Sequence, residues 1–388
     1  VALFEREIFP RFHLGESLLP MSLEVFEKLG VTAKLDARFI RKHGAWFIDG
    51  IGAEQVVFKF AEALRPGFPH AFHGPRADID HVLLDHAAAL GVDVRQGWEV
   101  RGFIHEDDRA RGMRVRSPDG KESDVHAVVS VDATGRSALM SRPSEAKLRT
   151  KGLERTLAVF AHFDGCHRMH GNDEGDIRIV IVPEGWFWVI PFRGRRSSVG
   201  IVLGPEALGK VGGNLDAALA RLVDASPVMR DTMRGSTQVF PASAAADFSY
   251  RVPRPSGDGW LAIGDAAGFI DPLFSTGFHL AVKGADLAAT AIEEALAAGD
   301  PSAERWKAHE RVVRRACEAY IGVVQAFYRG NLIELLFETK KREMLRRMIT
   351  SVLAGDVFHE EQPRWLREIE RRFPADLDRG DVGAPAGA

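Results

Sequence analysis

The stretch Trp260–Val282, WLAIGDAAGFIDPLFSTGFHLAV, gathers residues able to hold an anion or an electron-rich ligand atom. Trp260–Ile263, apolar and bounded by Gly259 and Gly264, has the length of a buried strand. Gly264-Asp265 turns the chain, and Ser275-Thr276-Gly277 opens an Ala/Leu-rich segment that predicts a helix to about Ala297. A strand, a small-residue turn and a helix start bring free N–H groups and a positive dipole end to one point. An amphipathic core helix would explain the apolar residues but not the crowding of Gly, Asp, Pro, Ser and Thr. Lys42 is a second candidate, in the basic run Phe39-Ile40-Arg41-Lys42-His43-Gly44 that leads into a strand. A lone lysine belongs by default on a solvated face, whereas a desolvated one readily becomes a neutral amine. Trp186 and Trp188 alternate with Phe187 and so share one face, as sheet core or as the wall of a site.

The elements around these residues are of two kinds. Val1–Phe4, ending in Glu5, resembles the second strand of a dinucleotide-binding unit, where a carboxylate accepts hydrogen bonds from ribose hydroxyls. Standing alone, Glu5 is an exposed strand-end carboxylate. A loop, Arg11–Ser17, leads into helical spacing over Leu18–Leu29. Arg76 precedes a helix over His81–Leu90, with Asp78 or Asp80 as its cap. Short strands follow near 92–94, 99–104 and 113–115, then a turn at Asp119-Gly120 and a strand over Asp124–Val131, ending in Asp132-Ala133-Thr134-Gly135. Four strand patterns between Leu157 and Val202 predict an antiparallel sheet, followed by helices at 215–223 and 228–233 and a strand near 238–240. Residues 301–372 predict helices broken at Gly330 and Gly355.

A chain of 388 residues can bury a large core and form more than one domain. Its net charge of −3 offers no general attraction for nucleic acid or an anionic membrane, and the basic cluster Lys340–Arg347 reads as a solvated helix face. Two distant cysteines, Cys166 and Cys317, exclude a disulfide framework and give no metal-type spacing, so no metal is expected. No apolar run is long enough for a membrane span and no signal peptide is evident, so a cytoplasmic protein is expected.

Glu5, Arg76, Asp132-Ala133-Thr134-Gly135 and Gly264-Asp265-Ala266-Ala267 follow one another in the order and spacing of the p-hydroxybenzoate-hydroxylase-like FAD monooxygenase fold, which the chain resembles. Two motifs narrow the resemblance to flavin-dependent halogenases. Trp186-Phe187-Trp188-Val189-Ile190-Pro191 matches W-x-W-x-I-P, and Phe269 to Gly277 matches F-x-x-P-x-x-S-x-G. Lys42 stands where that family carries its catalytic lysine. There are two departures. The phosphate-binding G-x-G-x-x-G is absent, and the resemblance predicts about thirty further residues ahead of Val1, the length of a strand, turn and helix. Phe274 also replaces the Glu that tryptophan halogenases carry before Ser-Thr-Gly, which fits the branch acting on phenols or pyrroles, often tethered to a carrier protein.

The resemblance implies an α/β fold: a doubly wound, three-layer FAD-binding domain (1–40, 75–150, 250–298), an inserted substrate domain with an antiparallel sheet (41–74, 151–249), a helical C-terminal region (299–375) and a flexible tail (376–388). It implies FAD at Glu5, Arg11, Ser17, Arg76, Gly264, Asp265 and Gly277, and chloride or bromide at Ser275, Thr276 and Gly277. Trp186, Trp188 and Pro191 would form a wall keeping organic substrate off the flavin, and Phe327, Tyr328, Leu335 and Phe337 would line a tunnel. Reduced FAD from a separate flavin reductase, O2 and halide would give hypohalous acid, which Lys42 would make electrophilic toward an activated aromatic ring, as a haloamine or by donating a hydrogen bond. A flavin hydroxylase or a geranylgeranyl-reductase-like oxidoreductase shares D-A-T-G and G-D-A-A but does not call for Lys42 or the paired tryptophans.

Overall fold

The computed structural model describes residues 1–65, 67–140, 148–153, 156–246, 249–339 and 342–377. Most of the expected tail, 378–388, and Lys340 and Lys341 of the basic cluster lie outside the described residues. The centre is an eight-stranded sheet. From one edge, Thr237–Gln238 and Ser243–Ala246 both pair with Leu157–Asp164, followed by Arg196–Leu203, Gly185–Pro191, Ile177–Val182, Gly44–Asp49 and Gln55–Lys59. β-Branched and aromatic residues on a period of two give each strand two apolar faces, because helices cover both sides. One face carries Trp186, Trp188 and Ile190 with Phe47, Phe58 and Phe160, packed with Tyr320, Phe327, Ile349 and Leu366 of the C-terminal helices. The other carries Phe187, Val189 and Ile201 against Leu219 and Met229, which belong to the helices Leu215–Ala225 and Pro227–Met233.

The sheet is not wholly antiparallel. Gly44–Asp49 runs parallel to Ile177–Val182, because it reaches the sheet from a distant part of the chain rather than through a hairpin. The α/β portion contains Ala2–Glu5 parallel to Asp93–Gln96, and Ser130–Asp132 parallel to Trp260–Ala262. These pairs share no hydrogen bond, so among the described residues the parallel strands form two sheets rather than one. The strand expected over Asp124–Val131 divides into Glu122–His126 and Ser130–Asp132. Ala127 N–H still bonds Arg111 O, but Ser130 N–H already bonds Gly259 O, so the chain changes sheet between them.

The helix expected to start at His81 begins at Arg76, and neither Asp78 nor Asp80 caps it. The helix after Ser-Thr-Gly spans Thr276–Ala297, as expected. Helices Ala303–Tyr328, Asn331–Glu338, Glu343–Ala354 and Arg364–Arg372 complete the C-terminal layer, with Gly330 and Gly355 in the left-handed conformation at the two breaks. Among the described residues no helix is long and apolar enough to cross a membrane.

Candidate active site

Lys42 is not on a solvated face. It ends the short strand Ile40–Lys42, which pairs with Ala71–His73, and is only 2% exposed. Its Nζ donates to Ser17 Oγ (2.9 Å) and to the Leu18 carbonyl (3.2 Å), and lies 5.3 Å from the centre of the Phe60 ring. Burial brings its pKa down to about 7, against the opposing pull of Asp176. At neutral pH the amine is therefore divided between its charged and uncharged forms. His73, fully buried, is held well below the usual histidine range, first by burial and then by the charge of Lys42. It is neutral.

The tryptophan motif has the orientation its alternation predicts. Trp186 and Trp188 point to the same face with their rings 6.1 Å apart. Trp188 Nε1 donates to Ser198 Oγ (3.1 Å), and Trp186 Nε1 to the Tyr328 hydroxyl (3.1 Å). Tyr328 in turn bonds the carboxylate of Asp271, the buried acid between Ile270 and Pro272. Pro191 ends the same strand, opposite Ser197. Phe274 sits among apolar residues, edge-on to Phe327 with ring centres 6.4 Å apart. A carboxylate in its place would be buried in that apolar cluster.

The turn at Ser275 has a definite shape. Ser275 is left-handed (φ 57°), and its N–H is taken by the Pro272 carbonyl. Thr276, Gly277 and Phe278 then begin a long helix, whose first N–H groups have no partner inside it. Thr276 is 1% exposed, and its hydroxyl has no hydrogen-bond partner. A buried orphan hydroxyl beside unused N–H groups fits a small anion such as a halide. At Gly277 a Cβ would come 2.7 Å from the Phe269 ring, so an alanine there would have to displace that ring.

The residues expected at the flavin divide into groups. Arg76 donates to both oxygens of Asp80 (2.7 and 3.0 Å) and to the Leu14 carbonyl (2.9 Å), and Arg11 donates to Asp80 Oδ2 (3.0 Å). Asp80 thus ties the 11–17 loop to the helix start instead of capping it. Burial pushes the Asp265 carboxyl up, while Arg76 and Arg136 pull it back. Gly264 is left-handed (φ 56°), and a Cβ there would come 2.9 Å from that of Ala281. Ser17 is engaged by Lys42. Glu5 stands at its strand end, accepting from Glu7 N–H (2.9 Å). Asp132 is internal wiring: it accepts from Thr134 N–H, the Thr134 hydroxyl and Met140 N–H.

Some buried polar residues were not singled out from the sequence. Glu16 Oε1 and His162 Nε2 lie 2.8 Å apart, both buried, joining the 11–17 loop to the central sheet. The available signal was a histidine on the inward face of an apolar strand. His73 and Asp271 had no such marker, since what distinguishes them is their neighbours.

The tryptophan halogenase family model matches residues 53–344. A 1H-pyrrole-2-carbonyl-[peptidyl-carrier protein] chlorinase from Pseudomonas fluorescens is 31% identical, over 99% of this chain and 92% of its own. A corresponding brominase from Pseudoalteromonas luteoviolacea is 32% identical, over 79% of this chain and 73% of its own. The solved structure of the flavin-dependent brominase Bmp2 superposes with a TM-score of 0.86 at 26% identity, covering 96% of this chain and 91% of that one. With a family model that matches three quarters of the chain and relatives aligned over nearly all of it, the chain belongs to the tryptophan halogenase family and is a flavin-dependent halogenase.

Proposed function

We propose that this enzyme halogenates an activated aromatic ring, a pyrrole or phenol, presented on a carrier protein, with chloride or bromide as the halogen source. We place it in the cytoplasm, where a separate flavin reductase provides reduced FAD. Reduced FAD, when bound, would supply two of the four electrons that O2 takes up, the halide giving up the other two as it becomes hypohalous acid, with water as the second product. Glu5, Arg11, Ser17, Arg76, Gly264, Asp265 and Gly277 are the proposed flavin contacts. The Ser275–Gly277 turn holds the halide through helix-start N–H groups and the Thr276 hydroxyl. Trp186, Trp188 and Pro191 keep the organic substrate away from the flavin side, and Lys42 delivers the halogen.

The carrying observation is the state of Lys42: a buried amine whose pKa is about 7, held in place by Ser17 and Leu18. The pyrrole reading draws on the two carrier-protein relatives and on Phe274, whose apolar setting leaves nothing there to polarise an unactivated ring. Pyrrole-2-carbonyl loaded on a carrier protein, a free pyrrole thioester and a phenol panel would each be incubated with reduced FAD, O2 and either halide. Mass spectrometry should show a halogen isotope pattern, strongest for the carrier-bound ring. Products that gain oxygen without halogen would sink the proposal.

The pH profile separates two roles for Lys42. An amine that is itself halogenated must be uncharged, so turnover would rise through about pH 7 to a plateau. A donor to hypohalous acid must be an ammonium, and turnover would then fall through the same value. The profile of single-turnover halogenation with added hypobromous acid, whose own ionisation lies well above pH 7, distinguishes them, and a fall centred on pH 7 would exclude the amine route.

A further inference from the structure

The wall motif and the anion turn are far apart in the chain, yet one side chain joins them. Tyr328, at the end of the Ala303–Tyr328 helix, accepts a hydrogen bond from Trp186 Nε1 (3.1 Å) and places its own hydroxyl 3.1 and 3.3 Å from the two oxygens of Asp271. Asp271 Oδ1 also accepts from Leu273 N–H (2.9 Å), which folds the backbone tightly just before Phe274 and Ser275. Asp271 is fully buried, and among the described residues no cation balances it: its bonds are to an N–H and a hydroxyl. Burial raises its carboxyl to about 7 and drives the Tyr328 hydroxyl well above the usual phenol range, so the hydroxyl keeps its proton and donates it whenever Asp271 is ionised. A hydrogen bond to a carboxylate in such surroundings is stronger and more directional than a neutral one.

Four residues later, Ser275 adopts a left-handed conformation without being glycine. That conformation is unfavourable for a residue with a Cβ and persists only where the surroundings impose it. The Pro272 carbonyl takes the Ser275 N–H (3.1 Å), and Asp271 holds the turn from the other side of Pro272. The helix-start donors therefore face their position because the turn is anchored to the helix layer and, through Trp186, to the central sheet.

We propose that Tyr328 is a positioning residue that clamps the tryptophan wall to the halide turn through Asp271. It touches neither flavin nor halide. Its hydroxyl fixes the spacing between the wall that excludes organic substrate and the turn that presents the anion. The inference rests on the proposed assignment of Ser275–Gly277 to the halide.

The test uses full-length enzyme loaded with FAD. Tyr328→Phe should raise the halide KM about tenfold and increase the hydrogen peroxide released per O2 consumed, with FAD affinity and the rate of O2 consumption unchanged. Asp271→Asn, which keeps an acceptor for both Leu273 and Tyr328, should recover most of the halide affinity that Asp271→Ala loses. A purely structural contact would shift halide KM, FAD affinity and O2 consumption together, and that pattern overturns the proposal. If Tyr328→Phe folds poorly, Trp186→Phe removes the indole donor while leaving the Tyr328–Asp271 bond, and should show the same peroxide leak at smaller amplitude; an unchanged leak overturns the clamp. Thr276→Val probes the halide site separately. An unchanged halide KM in Thr276→Val means that the site assignment fails. A raised KM there, with none in Tyr328→Phe, means that the clamp fails while the site stands.

Discussion

Lys42→Ala and Lys42→Met should lower halogenation by about 10²–10⁴-fold while leaving FAD binding and O2 consumption intact, the oxidising equivalents leaving as hydrogen peroxide. The expected separation follows from position. Lys42 bonds to Ser17 and Leu18 and faces Phe60, and no bond of its own reaches the Ser275–Gly277 turn. Retained halogenation in either variant would overturn the assignment. The methionine variant should also be more stable than the parent near neutral pH. A fall from 10.5 to about 7 means that the unfolded chain binds the Lys42 proton more tightly than the folded one. The resulting destabilisation is fully present below about pH 7 and disappears as pH rises toward 10.5. At pH 7 it amounts to about 4 kcal/mol. Loss of the bond to the buried Leu18 carbonyl costs about 1–3 kcal/mol at any pH, so Lys42→Met should gain about 2 kcal/mol at pH 6.5 and lose about 1 kcal/mol near pH 10. Urea denaturation at the two pH values measures the difference. A methionine variant less stable than the parent at pH 6.5 would show that the amine is not desolvated.

The sequence carried the site's motifs further than its wiring. W-x-W could be placed on one face because strand alternation leaves no choice, and Thr276 could be placed at a helix start because Gly, Ser and Thr cluster before an Ala/Leu-rich run. Lys42 is different: its burial depends on Ala71–His73 pairing with its strand and on the 17–18 backbone passing over it, both long-range events. Asp80 shows the same limit from the other side. Local rules make an acid in the first turn a cap, whereas two arginines claim it here. Glu16, His162, Asp271 and Tyr328 act in pairs separated by 57 to 146 residues, and no local pattern encodes such a pairing. The strand after Gly44 was legible but its parallel pairing was not, since period-two alternation fixes which face a residue takes but not the direction of its neighbour.

Gly200→Ala should damage both stability and selectivity, although it adds one methyl group. Gly200 lies opposite Trp188 on one neighbouring strand and opposite Phe160 on the other. The Trp188 ring covers the glycine: an added Cβ would fall inside contact distance of Cζ2 and 2.5 Å from Cη2, and 2.6 Å from the Phe160 Cβ. The backbone on both sides is locked in the central strands, so the indole has to move. Overpacking of this kind costs about 1–3 kcal/mol. The displaced indole also gives up its bond to Ser198 and shifts against Trp186, which opens the proposed wall. Urea denaturation should register the lost stability, and products should shift from halogenated substrate toward peroxide and oxygenated material. Trp188→Phe has no atoms where the indole meets the new methyl, so the double variant Gly200→Ala/Trp188→Phe should be more stable than Gly200→Ala alone. The coupling between two touching residues should reach at least about 0.5 kcal/mol. If Trp188 serves as the proposed wall, selectivity should not return with stability, because a phenyl ring is smaller than the indole it replaces. Equal stability of Gly200→Ala and the parent would mean that Trp188 does not rest on the glycine, and the wall would then need another support.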